Sequence, residues 1–156
     1  RLYAYNNNKN MKKKIMIIGP RQVGKSTLAN LLNHTDKPLR KTQDAIFGEK
    51  TIDVPAAYLE NTMMYKYIIA LAQLASHVVM LVDQSMPTEI YSPGFAKVFG
   101  CPTTGVIMKS DLKPENYIKC VDILKRIGLQ PPFFSISKNN MEEIDKLEKY
   151  LLSKRI

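Results

Sequence analysis

The stretch Gly19-Pro20-Arg21-Gln22-Val23-Gly24-Lys25-Ser26 fits the pattern G-x-x-x-x-G-K-[ST]. Its glycines let the backbone curl so that successive N–H groups converge on phosphate oxygens. A lysine directly after the second glycine reaches the β- and γ-phosphates of a nucleotide, and the next hydroxyl suits Mg²⁺. Gly19 to Thr27 is therefore the candidate phosphate cradle, with Lys25 acting on the transferred group and Ser26 as a metal ligand. The apolar run Ile15 to Ile18 precedes this stretch and a helical pattern follows it. That order places the positive end of a helix against the same anion. A later run, Thr51-Ile52-Asp53-Val54-Pro55-Ala56, puts Asp53 at a strand end, where its carboxylate can hold Mg²⁺ through a water. A turn-forming aspartate before a proline would explain Asp53 alone, but after a phosphate loop the metal role is the better account.

These groups need a scaffold, and the chain supplies one. From Lys12 onward strand-like apolar runs alternate with helical periodicity, which predicts a layered α/β domain on a largely parallel sheet. Strands are expected at 13–18, near 44–47 and 50–54, and at 78–82, 106–108 and 133–137. The run at 13–18 is continuously apolar, as a central strand buried on both faces should be. A helix begins inside the phosphate motif, with Leu28, Leu31 and Leu32 on one face. Another is expected over 60–75, with Met63, Tyr67, Leu71 and Leu74 facing the core. Pro87, Pro93 and Pro102 leave room only for a short helix near 95–99. Further helices are expected over 115–127, ending at Gly128, and over 141–153. Residues 1–10, polar and asparagine-rich before Met11, read as an extension, leaving 11–156 as one nucleotide-binding domain.

Composition narrows the class. The chain has 156 residues, 45% hydrophobic and 24% charged, which suits one globular domain. A formal charge of +9 favours an anionic partner, but no basic run is interleaved with aromatics, so a nucleic-acid groove is not expected. Cys101 and Cys120 are isolated, and His34 and His77 lack partners at metal-ligand spacing. The longest apolar stretch, Met63 to Val82, is crossed by Lys66, Gln73 and His77, so a membrane span is not expected and a cytoplasmic location is.

The segment Met108-Lys109-Ser110-Asp111 leaves a strand in the place where a GTPase carries [NT]-K-x-D, and from here the whole chain resembles that class. In GTPases the lysine stem lies along the base and the aspartate accepts hydrogen bonds from guanine, which adenine does not offer. Ser137-Lys138 is similar to the last element of the same class, which contacts the guanine oxygen. Lys41-Thr42-Gln43, Tyr58-Leu59-Glu60-Asn61 and Ser92-Pro93-Gly94-Phe95 narrow the resemblance to the EutP/PduV family, linked to ethanolamine and propanediol utilisation. The resemblance runs from about Lys12 to Leu152. It implies a three-layer, Ras-like G domain with a P-loop, associated with metabolic microcompartments and their shell or enzyme proteins. By the same resemblance Thr42 closes over Mg²⁺ and the γ-phosphate, and the Ala56 N–H faces that phosphate.

Three departures bear on activity. Relatives have Asp-x-Pro-Gly where this chain has Asp53-Val54-Pro55-Ala56, and the Ala56 Cβ restricts backbone angles that glycine would allow. The water-orienting glutamine that follows that glycine in Ras-like enzymes is Ala57 here, so slow hydrolysis is expected; Glu60, Tyr58 and Gln43 are the nearby substitutes. Met108 replaces Asn or Thr in the base-reading element, a loss on the order of 1 kcal/mol. Three functions remain open: a slow GTPase, an ATP-dependent kinase acting on a small acid such as acetate, and a docking module held together by nucleotide. No basic residue in the sequence marks an acyl-acceptor pocket.

Overall fold

The computed structural model describes residues 14–36 and 44–153; Thr42 and the expected extension at 1–10 lie outside them. Strand β1 (Lys14–Ile18) leads through the phosphate loop into helix α1 (Lys25–Asn33). A hairpin follows, β2 (Ile46–Phe47) and β3 (Thr51–Asp53), then the short helix α2 (Ala57–Glu60), a 3₁₀ turn at Thr62–Met64 and helix α3 (Tyr65–Ala72). Strand β4 (Ala75–Asp83), a 3₁₀ turn at Phe95–Val98, strand β5 (Thr103–Met108), a 3₁₀ turn at Pro114–Asn116 and helix α4 (Tyr117–Ile127) come next. Strand β6 (Phe134–Ile136) and helix α5 (Met141–Ser153) complete the described chain.

The six strands lie in the order β2-β3-β1-β4-β5-β6. Only β2 runs antiparallel to its neighbour. The expected layered α/β domain with a mostly parallel sheet is what forms. Strand β1 is central and its side chains alternate between two cores. Ile15 and Ile17 join Leu28, Leu32, Leu81, Leu147 and Leu151 under α1 and α5. Met16 and Ile18 join Ile68, Ala72, Met80, Leu124 and Ile127 under α3 and α4. Period-two alternation through a strand covered on both faces produces this division. Cys120 is in the second core, where burial pushes its thiol up to about 11 and leaves it unreactive at neutral pH.

One helix departs from expectation. The segment 60–75 is not a single helix, because Asn61 leaves helical geometry (φ −125°) and its side chain accepts from the Met63 N–H at 3.0 Å. A polar side chain that satisfies a free backbone donor restarts the helix there. The buried stripe of α3 is Ile68 and Ala72; of the residues expected to face the core, Leu71 and Leu74 pack against it, whereas Met63 and Tyr67 are 77% and 47% exposed. Apolar residues occur on every side of this segment, so periodicity alone does not identify its inner face. Strand β4 already begins at Ala75, inside the span expected to be helical.

The parallel arrangement carries the functional consequence. β1, β3, β4, β5 and β6 all point the same way, so the segments after Ile18, Asp53, Asp83, Met108 and Ile136 emerge along one edge. Open α/β sheets bind ligands at that carboxyl edge. The buried Tyr91 hydroxyl donates to Leu81 O at 2.8 Å and to Ile18 O at 3.2 Å, joining β4 to β1 directly behind the phosphate loop.

Candidate functional site

The phosphate loop begins where Ile18 ends. Gly19 packs so closely on β4 that a Cβ there would lie 2.9 Å from Leu81 Cβ. Gln22 (φ 59°) and Gly24 (φ 107°) take left-handed backbone angles, which turn the chain back over the start of α1. Lys25 Nζ donates to Pro20 O at 2.9 Å and to Gly19 O at 3.1 Å, so the ammonium spans the mouth of the loop. Burial lowers the Lys25 pKa from its ordinary value, and the Asp53 carboxylate opposes that shift. A cation held partly out of water, with loop amides around it, is arranged to gain from an incoming anion.

Next to it, Ser26 Oγ donates to Asp53 Oδ2 at 2.8 Å. Burial raises the Asp53 pKa, against the lowering effects of the Ser26 hydrogen bond and of Lys25. A hydroxyl and a carboxylate brought together at the end of β3 are hard oxygen donors, and they fit Mg²⁺, which binds through few protein ligands and keeps its waters. Among the described residues no group of three or more His, Cys, Asp or Glu forms a fuller metal cage.

The loop after β5 is held from below. Lys109 has φ 57°, uncommon for a residue with a Cβ, and its Nζ donates to Asp83 Oδ2 at 2.9 Å. Gln84 Nε2 donates to Ser110 O and Leu112 O, both at 2.9 Å, while Ser110 N donates to Ile136 O at 3.1 Å. The Lys109 ammonium is thus taken by Asp83, and the strained turn is fixed by Gln84. Met108 is buried, with its methyl directed at the phosphate loop: a Cβ built on Gly24 would lie 3.1 Å from Met108 Cε. Met108 therefore joins the two loops by packing.

The phosphate loop, the end of β3 and the loop after β5 border one cavity of about 750 Å³. Of the residues singled out in the sequence, Arg21, Gln22, Val23, Gly24, Lys25, Ser26, Thr27, Asp53, Ala56, Lys109, Asp111, Ser137 and Lys138 line it together. Gly19 and Pro20 are buried behind the lining and take part through the carbonyls that accept Lys25. Thr42 and Gln43 lie outside the described residues. Glu60 stands in an ion pair with Arg21, with Nε–Oε1 2.6 Å and Nη2–Oε2 3.0 Å. Sequence reasoning missed Asp83 and Gln84. The available signal was position, since Asp83 ends a strand that leads to the same edge as Asp53.

Comparison with known proteins agrees with this geometry. The chain is 33% identical over 129 residues to propanediol utilization protein PduV of Citrobacter freundii, covering 82% of this chain and 86% of that one. It is 25% identical over 147 residues to a protein of Escherichia coli named "Probable acetate kinase EutP", covering 90% of each. In fold it is similar to a probable GTP-binding protein, EngB (TM-score 0.64, 22% identity, 91% of this chain and 99% of that one). It is also similar to elongation factor SelB of Methanococcus maripaludis in complex with the GTP analogue GppNHp (TM-score 0.64, 18% identity). The matched region is 92% of this chain but 33% of SelB, so the chain corresponds to about a third of that protein. The shared fold is that of a Ras-like G domain. The model of the PduV–EutP family, described as ethanolamine utilisation - propanediol utilisation, matches residues 12–153, and the chain belongs to that family.

Proposed function

We propose that this protein binds a nucleoside triphosphate with Mg²⁺ in the cavity between the phosphate loop and the loop after β5. It selects guanine through Asp111, hydrolyses the γ-phosphate slowly, and serves ethanolamine or propanediol utilisation in the cytoplasm beside microcompartment shell or enzyme proteins. The observation that supports this reading is the shared cavity: Lys25 and Ser26 border it together with Lys109 and Asp111. One volume of this size accommodates a small ligand, with a phosphate-binding end and a base-reading end. The Asp111 carboxylate accepts from the N–H groups of guanine, and hydrogen bonds to a charged group contribute about 1.5–3 kcal/mol. At the other end Lys25 and the loop amides stabilise the transferring phosphoryl group, so catalysis is mainly positioning and electrostatics. Mg²⁺ held through Ser26 and the Asp53 side would neutralise charge between the β- and γ-oxygens. Ala57 has no group with which to orient water, which accounts for slow hydrolysis.

The deciding experiment titrates GTP and ATP, with Mg²⁺, into the wild type and Asp111→Asn. GTP should bind more tightly than ATP, and the substitution should weaken GTP at least tenfold while leaving ATP nearly unchanged. Unaltered GTP affinity would remove the base-reading role. Phosphoryl transfer from ATP to acetate is the second reading, motivated by the name of the Escherichia coli relative and by Ala57, since a kinase should not promote attack by water. Formation of ADP and acetyl phosphate by purified protein would favour it over hydrolysis.

A further inference from the structure

Arg21 leaves the phosphate loop two residues after Gly19, and its side chain lines the cavity beside Lys25. Both of its hydrogen bonds go to one carboxylate, Glu60, at the end of α2. The planar fork of a guanidinium matches a carboxylate, and it matches a phosphoryl group in the same way. This pair is open to solvent, with the two side chains 68% and 40% exposed. An ion pair so placed holds weakly and exchanges readily. Arg21 and Glu60 both act on Lys25, Arg21 disfavouring the ammonium and Glu60 favouring it. Two cations, Arg21 and Lys25, thus stand at the phosphate cradle, and the exposed carboxylate paired with Arg21 belongs to the segment that follows Asp53.

We propose that Arg21 exchanges Glu60 for the terminal phosphoryl group of the bound nucleoside triphosphate, and that Glu60 is the place-holder for that phosphate in the empty protein. The inference rests on the nucleotide-binding reading but applies equally to hydrolysis and to transfer onto an acceptor. It supplies a cation for the terminal phosphate in a chain whose water-orienting position is an alanine. It also links occupancy to α2, because the arrival of the third phosphate frees Glu60.

The test uses opposite signs. Non-hydrolysable GTP and ATP analogues and the matching diphosphates are titrated, with Mg²⁺, into the full chain and its Arg21→Ala, Arg21→Lys and Glu60→Gln variants. Arg21→Ala should weaken triphosphate binding about tenfold or more and leave the diphosphate unchanged, with Arg21→Lys intermediate because it keeps charge without the fork. Glu60→Gln removes the competitor and should tighten triphosphate binding up to about fivefold. A pair with a merely structural role would shift both variants in the same direction, or both nucleotides equally. Either result, in wild-type protein that binds nucleotide, overturns this proposal alone. Failure of the wild type to bind any nucleotide overturns the nucleotide reading and this proposal with it. Thermal unfolding of each unliganded variant verifies that it is folded.

Discussion

Gly24→Ala separates two effects that meet at one atom. The residue has φ 107°, where a side chain is strained whatever the space around it, and its new Cβ would lie 3.1 Å from Met108 Cε. The backbone part costs about 1–3 kcal/mol, since this angle lies beyond even the left-handed well that asparagine tolerates. The contact part is smaller. Met108 Cε is the free end of a flexible thioether, and a shift of a few tenths of an ångström costs well under about 1 kcal/mol. The backbone part should therefore dominate, with a net loss of about 2 kcal/mol and a fall in Tm of about 4–8 °C for a chain of this length. Urea and thermal unfolding of four proteins measure it: wild type, Gly24→Ala, Met108→Ala and the double variant. The Gly24→Ala penalty should persist within about 0.5 kcal/mol in the Met108→Ala background, because the strain is in the main chain. If Met108→Ala abolished the penalty, the cost would be steric and the argument from φ would be wrong. The same substitution should weaken diphosphate binding, since it turns the loop amides away from their common focus; unchanged affinity would show that this glycine does not shape the cradle.

Asp53→Asn should cut Mg²⁺-dependent triphosphate affinity about tenfold and leave affinity in EDTA nearly unchanged, by calorimetric titration; equal losses in both would dismiss Asp53 as the metal-side carboxylate. Lys109→Met leaves the carboxylate of Asp83, whose side chain is 9% exposed, without its cation. Urea unfolding should record a loss of about 2 kcal/mol, while an unchanged midpoint would mean that solvent already screens the pair. His77 is 1% exposed and burial holds its pKa down to about 4, with Nε2 within 2.6 Å of Thr104 Oγ1 and Nδ1 without a hydrogen-bond partner among the described residues. It is neutral in the fold, so its contribution is complete above about pH 6.5 and declines as acid protonates the unfolded chain first. The decline amounts to about 3 kcal/mol between pH 6.5 and 4. Unfolding free energies of the wild type and His77→Gln should converge over that window, and parallel curves would refute the assignment.

The chain displays its phosphate loop and sheet openly and conceals its supports. Strand β1 and helix α1 were legible because a continuous apolar run, a glycine pair and a helical face follow one another without interruption. Helix α4 was legible because Gly128, with φ 100°, ends it, and the carbonyls of Lys125 and Leu124 accept from Gly128 N and Leu129 N. The inner face of α3 was legible only in part: Leu71 and Leu74 pack on the core as expected, but Met63 and Ile69 are as apolar as the buried Ile68 and are exposed, and Asn61 breaks the segment after Glu60. Asp83 and Gln84 were missed for another reason. Their work is to hold Lys109 and the carbonyls of Ser110 and Leu112, and these contacts span 26 to 28 residues of sequence. Local pattern cannot register a bond that only the sheet brings about. Met108 was read by its chemistry, as one hydrogen bond fewer to a base. Its position shows it packed beneath Gly24, so replacing it by asparagine would remove a strut as well as restore a polar group.

Ala56 carries the same lesson to the question of switching. In sequence its Cβ is a restriction, because glycine at this place would reach angles that alanine avoids. In the fold Ala56 sits at φ −58° and ψ −29°, ordinary right-handed helical values that alanine adopts without strain, and its carbonyl accepts from the N–H groups of Leu59 and Glu60 at 2.9 and 3.2 Å. Alanine in place of glycine therefore favours this state, by about 0.4–1 kcal/mol, and is costly only in one that needs glycine's angles. The Arg21–Glu60 pair acts in the same direction from the far end of α2, and only weakly, because both side chains are open to solvent. Backbone preference at residue 56 and an ion pair at residue 60 both bias the segment toward the arrangement described here. A nucleotide that moved it would have to displace the second and strain the first, and it can do so only by the difference in its affinity for the two arrangements. Arg21 lines the cavity with an exposed side chain, so on the exchange proposed above the ion pair, rather than the alanine, is the point at which the chain responds.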